Sequence, residues 1–120
     1  MLIKFERAGW TPKGWGGERL ITNNQFYCGK VLEIKKGFKC SFHHHDVKRE
    51  HFFLLKGSLL LRVSYGNDIE KAEEAVMEQG DVFEVPLGLN HQMEALEDCE
   101  LFEFSTTDYS DDSIRIVKGD

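Results

Sequence analysis

Punctuation constrains this chain more than any other feature of its sequence. From Gln25 onward, runs rich in Val, Ile, Leu and Phe are broken roughly every 8 to 12 residues by Gly, Asn or Asp. The runs are QFYCGKVLEI, KCSFHHH, EHFFLLKG, SLLLRVSY, AVMEQ, DVFEVP, HQMEAL and ELFEFST. Segments this short cannot be long helices, and their spacing predicts an antiparallel β sandwich or barrel. One stretch dissents: DIEKAEEAVMEQ, Asp68 to Gln79, has helix-forming composition with Ile69, Ala72 and Val76 at helical spacing. Because Gly66-Asn67 precedes it and Gly80-Asp81 follows, it reads better as a charged loop followed by a short strand.

With 120 residues, 41% of them apolar, and no repeat or Pro/Ser-rich linker, the chain has material for one core. Residues 25–120 form the expected domain, and residues 1–24 an arm packed on it. Within that arm GWTPKGWGG, Gly9 to Gly17, holds too many glycines for regular structure yet carries two tryptophans that need a packing surface. A net charge of −6 repels phosphate backbones and anionic lipid, which argues against nucleic acid and membrane surfaces as partners. The longest apolar stretch, Phe52 to Leu55, is far too short to span a bilayer, and Met1-Leu2-Ile3-Lys4 lacks the apolar core of a signal peptide. Cys28, Cys40 and Cys99 are odd in number and without paired spacing, so they read as reduced thiols in a cytoplasmic protein.

The densest chemistry is His43-His44-His45, with Glu50 close behind and His91 far downstream. On a strand His43 and His45 share one face, while His44 points away with Cys40 and Phe42. An isolated His triplet is commonly a solvated surface tract. Two imidazoles on one face, joined by the Glu50 carboxylate and a third nitrogen from His91, would instead suit one divalent transition metal: Mn, Fe, Co, Ni or Zn. Phe52 and Leu54 share the parity of Glu50, and Met93 and Ala95 that of His91, which predicts a largely apolar cavity wall.

The spacing is Gly37-x5-His43-x-His45-x4-Glu50-x6-Gly57, then, after 22 residues, Gly80-x5-Pro86-x-Gly88-x2-His91. These nine positions resemble the two motifs of the cupin superfamily, with Ala95 standing where the second motif usually ends in Asn. The resemblance implies an all-β, single-domain cupin, a small antiparallel jelly-roll β-barrel, with metal ligands His43, His45, Glu50 and His91. Lys13-Gly14-Trp15-Gly16-Gly17-Glu18, Glu50-His51, Glu103-Phe104-Ser105-Thr106 and Asp111-Asp112-Ser113-Ile114-Arg115 are similar to the cupin domain of type II mannose-6-phosphate isomerases. That likeness implies a small-molecule ligand, a sugar or sugar phosphate, and isomerase- or epimerase-type chemistry, with Arg115 contacting an anion.

Two other functions stay open: an Fe-dependent dioxygenase using the same ligand set, and a non-catalytic ligand-binding cupin. His51 and Tyr27 are the acid/base candidates, and Phe52, Met93, Arg62 and Arg115 the candidates for holding substrate. Parity leaves Arg62 undecided. It turns Arg115 away from the pocket if Ile114 and Ile116 pack inward. The outward row of His51, Phe53 and Leu55 predicts a homodimer, with the Trp10 and Trp15 arm as a crossing element.

Overall fold

A computed structural model describes all residues, Met1–Asp120, and contains no α-helix. Eleven strands carry the fold: β1 Gly9–Lys13, β2 Gly16–Asn23, β3 Cys28–Ile34, β4 Phe42–His44, β5 Glu50–Lys56, β6 Ser58–Ser64, β7 Glu73–Glu78, β8 Val82–Val85, β9 Asn90–Ala95, β10 Cys99–Ser105 and β11 Ile114–Val117. They form two antiparallel sheets, ordered β1-β2-β3-β10-β5-β8 and β11-β4-β9-β6-β7, stacked as a jelly-roll barrel. Each of the eight apolar runs overlaps one strand, β3 to β10 in order. Asp68 to Gln79 resolves into a single 3₁₀ turn, Ile69–Lys71, capped by the Asp68 side chain accepting from the Glu70 N–H, and then β7. No helix in the chain is long and apolar enough to cross a membrane.

Strand alternation builds the core between the sheets. Leu32, Ile34, Phe52, Leu54 and Leu101 come from one sheet, and Leu59, Leu61, Met77, Met93 and Ala95 from the other. The β5–β6 turn requires glycine, since Gly57 stands at φ +93 and a Cβ there would lie 2.4 Å from the Asp98 carbonyl oxygen.

Two local expectations are revised. GWTPKGWGG is regular: β1 and β2 form a hairpin on the sheet edge, with Trp10 opposite Arg19 and Pro12 opposite Gly17. Its glycines act here as clearances. A Cβ on Gly17 would lie 2.0 Å from the Trp10 indole, so only glycine lets that ring lie against the neighbouring strand. Pro12 is tolerated because β1 is an edge strand. The second revision concerns Cys40, which lies in the core cluster rather than turned out beside His44. Lys39 bridges Glu94 and His43 pairs with His91, so five residues on one side face four on the other. The extra residue is a bulge that resets parity before the histidines.

Candidate metal centre

His43 and His44 end β4, His45 follows it, and His91 is near the start of β9, directly opposite His43. The His43, His45 and His91 rings each present a nitrogen to a common point, with these atoms all within 4.8 Å of one another. Backbone carbonyls fix their orientation. His43 Nδ1 lies 3.1 Å from the Ser41 oxygen, His45 Nδ1 2.7 Å from that of Asp112, and His91 Nδ1 2.9 Å from that of Leu89. A carbonyl only accepts, so each Nδ1 carries the proton and each Nε2 faces the others with a free lone pair. Burial, reinforced by the His91 and His45 rings, pushes His43 down to about 3, and burial also lowers His45. Both rings are therefore neutral, the form that ligates a metal. His44 belongs elsewhere: its Nδ1 meets Asn90 Oδ1 at 2.7 Å.

Glu50, at the start of β5, brings Oε1 to 3.2 Å from His91 Nε2 and 3.4 Å from His45 Nε2. Burial alone would raise this carboxyl, but the neighbouring His91 and Lys48 outweigh it and hold Glu50 well below the usual carboxylate range. Both Glu50 oxygens and His91 Nε2 are buried without a hydrogen-bond partner. Unpartnered polar atoms inside a protein are costly. Three imidazole nitrogens and a carboxylate facing one point form a donor set that a divalent ion satisfies.

Around this cluster lies a layer of buried charge. Lys48 Nζ stands 3.4 Å from Glu50, 3.6 Å from Glu103 and 3.3 Å from Asp108. Its desolvation is outweighed by these carboxylates, so its pKa is raised, whereas burial and the Glu50 charge push the Glu103 carboxyl well above its ordinary value. Lys30 is paired with Asp108 and Glu18. Asp112 Oδ1 accepts the N–H groups of Asp46 and Val47, and Oδ2 that of Lys48, holding the loop between the histidines and Glu50.

A cavity of about 280 Å³ opens onto His43 and His45. Only five of its twenty lining residues are apolar, Trp15, Leu32, Cys40, Met93 and Tyr109, so the expected apolar wall is not what surrounds the site. Parity correctly turned Phe52, Leu54 and Ala95 inward, but they fill the packed core, and of the four only Met93 reaches the cavity. The Phe52 ring lies edge-on to His91, centroids 5.6 Å apart.

Arg62 projects outward from β6, bound to Glu74 at 3.0 Å and Glu94 at 2.8 Å, and does not line the cavity. His51 leaves β5 on the face opposite Glu50, with its nearest carboxylate, Glu84, at 4.0 Å. Tyr27 is exposed just before β3, and neither it nor His51 lines the cavity. Arg115, which parity turned away, does line it. Its orientation follows from register, because Arg115 stands opposite His43 across β11 and β4, and the flanking isoleucines are only half-buried. Lys48, Glu103, Asp108 and Asp112 carry no site role in the sequence reading. Glu103 carried a readable signal, since it shares the inward parity of Cys99 and Leu101.

The family model described as Cupin matches residues 28–118. A search of curated proteins gave no match. Among solved structures, KdgF from Halomonas sp. superposes with TM-score 0.73 and 15% identity over 86% of this chain and 91% of its own. The capsular polysaccharide assembling protein CapF from Staphylococcus aureus gives 0.75 and 19% over 92% of this chain and 32% of its own. The Lactobacillus farciminis oxalate decarboxylase formate complex gives 0.74 and 21% over 90% and 33%. The likeness at these identities is one of fold, and the chain spans about a third of the latter two proteins.

Proposed function

The chain belongs to the cupin family, and on that premise we propose that it is a metal-dependent enzyme acting on a sugar or sugar phosphate by isomerase- or epimerase-type chemistry. The observation that carries the reading is the convergence of three Nδ1-anchored imidazoles and the partnerless Glu50 carboxylate beside a polar cavity. His43, His45, Glu50 and His91 would hold one divalent Mn, Fe, Co, Ni or Zn ion. Such an ion supplies Lewis acidity, polarising carbonyl and hydroxyl oxygens so that a proton can move between adjacent carbons.

The chain's own residues orient and surround the ligand. Ser41, Leu89 and Asp112 fix the three rings, and Lys48 with Glu103 fixes the charge beside Glu50. Lys48, Glu103 and Tyr109 line the cavity and His51 and Tyr27 do not, which favours the former three as acid/base. The polar lining suits a hydroxyl-rich molecule, and one structural neighbour is by name a polysaccharide-assembling protein. The likeness to type II mannose-6-phosphate isomerases points the same way. We further propose a cytoplasmic homodimer, in keeping with three free buried cysteines.

The test is elemental analysis of untagged protein together with aldose–ketose interconversion and oxygen uptake assays on the metal-loaded form. One ion per chain is expected in the wild type and His44→Ala, and none in His43→Ala or His91→Ala. Equal metal content in all four proteins overturns the ligand assignment. Oxygen uptake without sugar turnover overturns the isomerase in favour of an Fe dioxygenase. A metal-loaded protein that binds sugars but turns none over is a binding module.

A further inference from the structure

We infer that Lys13, Arg115 and Lys118 form an anion clamp at the cavity mouth, so that the natural ligand carries a phosphate or carboxylate on the end turned away from the histidines. The inference rests on the proposed ligand cavity and deepens it by naming the ligand's charge class.

Five cations line this cavity, and they divide sharply by partner. Lys30 and Lys48 are engaged by Glu18, Glu50, Glu103 and Asp108. Lys13, Arg115 and Lys118 make no ion pair, and all three are exposed at the rim. Of the cavity's carboxylates, Glu18, Glu103 and Asp108 are paired with those lysines, while Asp120 keeps its charge and accepts the Lys39 backbone N–H at 2.8 Å. In a chain of net charge −6, five cations against four carboxylates line the opening that leads to its histidines. Free cations gathered around a cavity recognise anionic groups, and guanidinium offers the planar fork that phosphate and carboxylate accept.

The rim is built rather than incidental. Lys13 ends β1 at the hairpin turn, and the segment after β11 carries Lys118 beside it. That segment is pinned by the Asp120 N–H donating to the Lys39 carbonyl and by the Asp120 side chain accepting from Lys39. It packs so closely that a Cβ on Gly119 would lie 2.4 Å from the Cys40 backbone, and one on Gly14 2.4 Å from that of Asp120. Two glycines thus let the hairpin turn and the closing segment meet, and each contributes a lysine to the same mouth. Arg115, opposite His43, joins that mouth to the histidines.

The test is calorimetric titration of mannose 6-phosphate, mannuronate and mannose into wild type, Lys13→Gln, Lys118→Gln, Arg115→Gln and the triple variant, with and without metal. Wild type is expected to bind at least one anion tenfold or more tighter than mannose, and the tighter of the two identifies phosphate or carboxylate as the source. Each single variant should lose roughly three- to tenfold for that anion, and the triple variant its whole preference, since a charged contact is commonly worth a factor of ten. Mannose affinity, metal content and melting temperature should be unchanged throughout. Equal affinity for the three probes, no measurable anion binding, or a preference that survives in the triple variant overturns the clamp. A protein that takes up no metal yet keeps its anion preference overturns the metal reading and leaves the clamp standing.

Discussion

Asp112 joins the loop of residues 46 to 48 to the imidazole of His45. Its carbonyl receives the His45 Nδ1–H, and its carboxylate receives three backbone N–H groups from Asp46, Val47 and Lys48. Those donors hold the carboxyl below its ordinary value although burial opposes them. Removing the carboxylate leaves the Lys48 N–H buried and unpaired, at a cost of about 1–3 kcal/mol. It also frees the loop between His45 and Glu50, two of the proposed ligands. Asp112→Ala should therefore lower the melting temperature and weaken metal binding about 10–100-fold, the usual effect of losing an outer support. Competition titration with a metal-binding dye measures it, and unchanged affinity would show that the histidines hold their geometry without this support. Ser41→Ala is the milder comparison, because the Ser41 carbonyl continues to accept from His43.

Strands were legible where the apolar rhythm was plain and obscure where backbone geometry altered it. Phe52, Leu54, Met93 and Leu101 fall inside as alternation requires. A bulge has no single-residue signature, so Cys40 could not be placed by counting from His43. The β1–β2 hairpin was hidden because its glycines read as breakers, when Gly17 is a clearance for Trp10. The four residues matched by spacing, His43, His45, Glu50 and His91, lie side by side, while the ion pairs beyond them join distant elements and leave no local pattern.

Asp108 is the clearest of these long-range partners. It follows β10, binds Lys30 of β3 and Lys48, and exchanges two 3.0 Å hydrogen bonds with Asn23 of β2. Burial opposes its ionisation, but Lys30 and Lys48 lower its pKa. A carboxyl lowered in the folded state contributes stability that is complete above its unfolded value, about 3.9, and is lost as pH falls through the lowered folded value. Asp108→Asn should thus cost about 1–3 kcal/mol at pH 7, and the gap between variant and wild type should narrow below about pH 4. Denaturant titrations across that range measure it. A gap constant with pH would show that the charge is not its source, since the Asn23 bonds are to the Asp108 backbone and survive the substitution.

The whole molecule has one face that a monomer rarely leaves in water. Trp10, Arg19, Val31, Phe102, Phe53 and Val82 stand in register across all six strands of the larger sheet, opposite the side that packs the core. Phe104, half exposed, stacks on Phe102 with centroids 4.1 Å apart, and Leu55 and Ile21 are exposed. Met1, Leu2, Ile3 and Phe5, which precede the edge strand of the same sheet, are exposed as well. A largely apolar sheet face with an apolar arm at its margin fits a two-fold interface in which each copy covers the other. The arrangement leaves the cavity free, since its lining lies between the two sheets and on the closing segment, away from that outer face. Sedimentation equilibrium at micromolar concentration should give about twice the chain mass of 13.9 kDa. Phe102→Glu places a charge at the centre of the row and should yield a folded species near the chain mass with its metal content intact. A wild-type protein that sediments at the chain mass would overturn the dimer, and a dimer that survives Phe102→Glu would move the interface to another face.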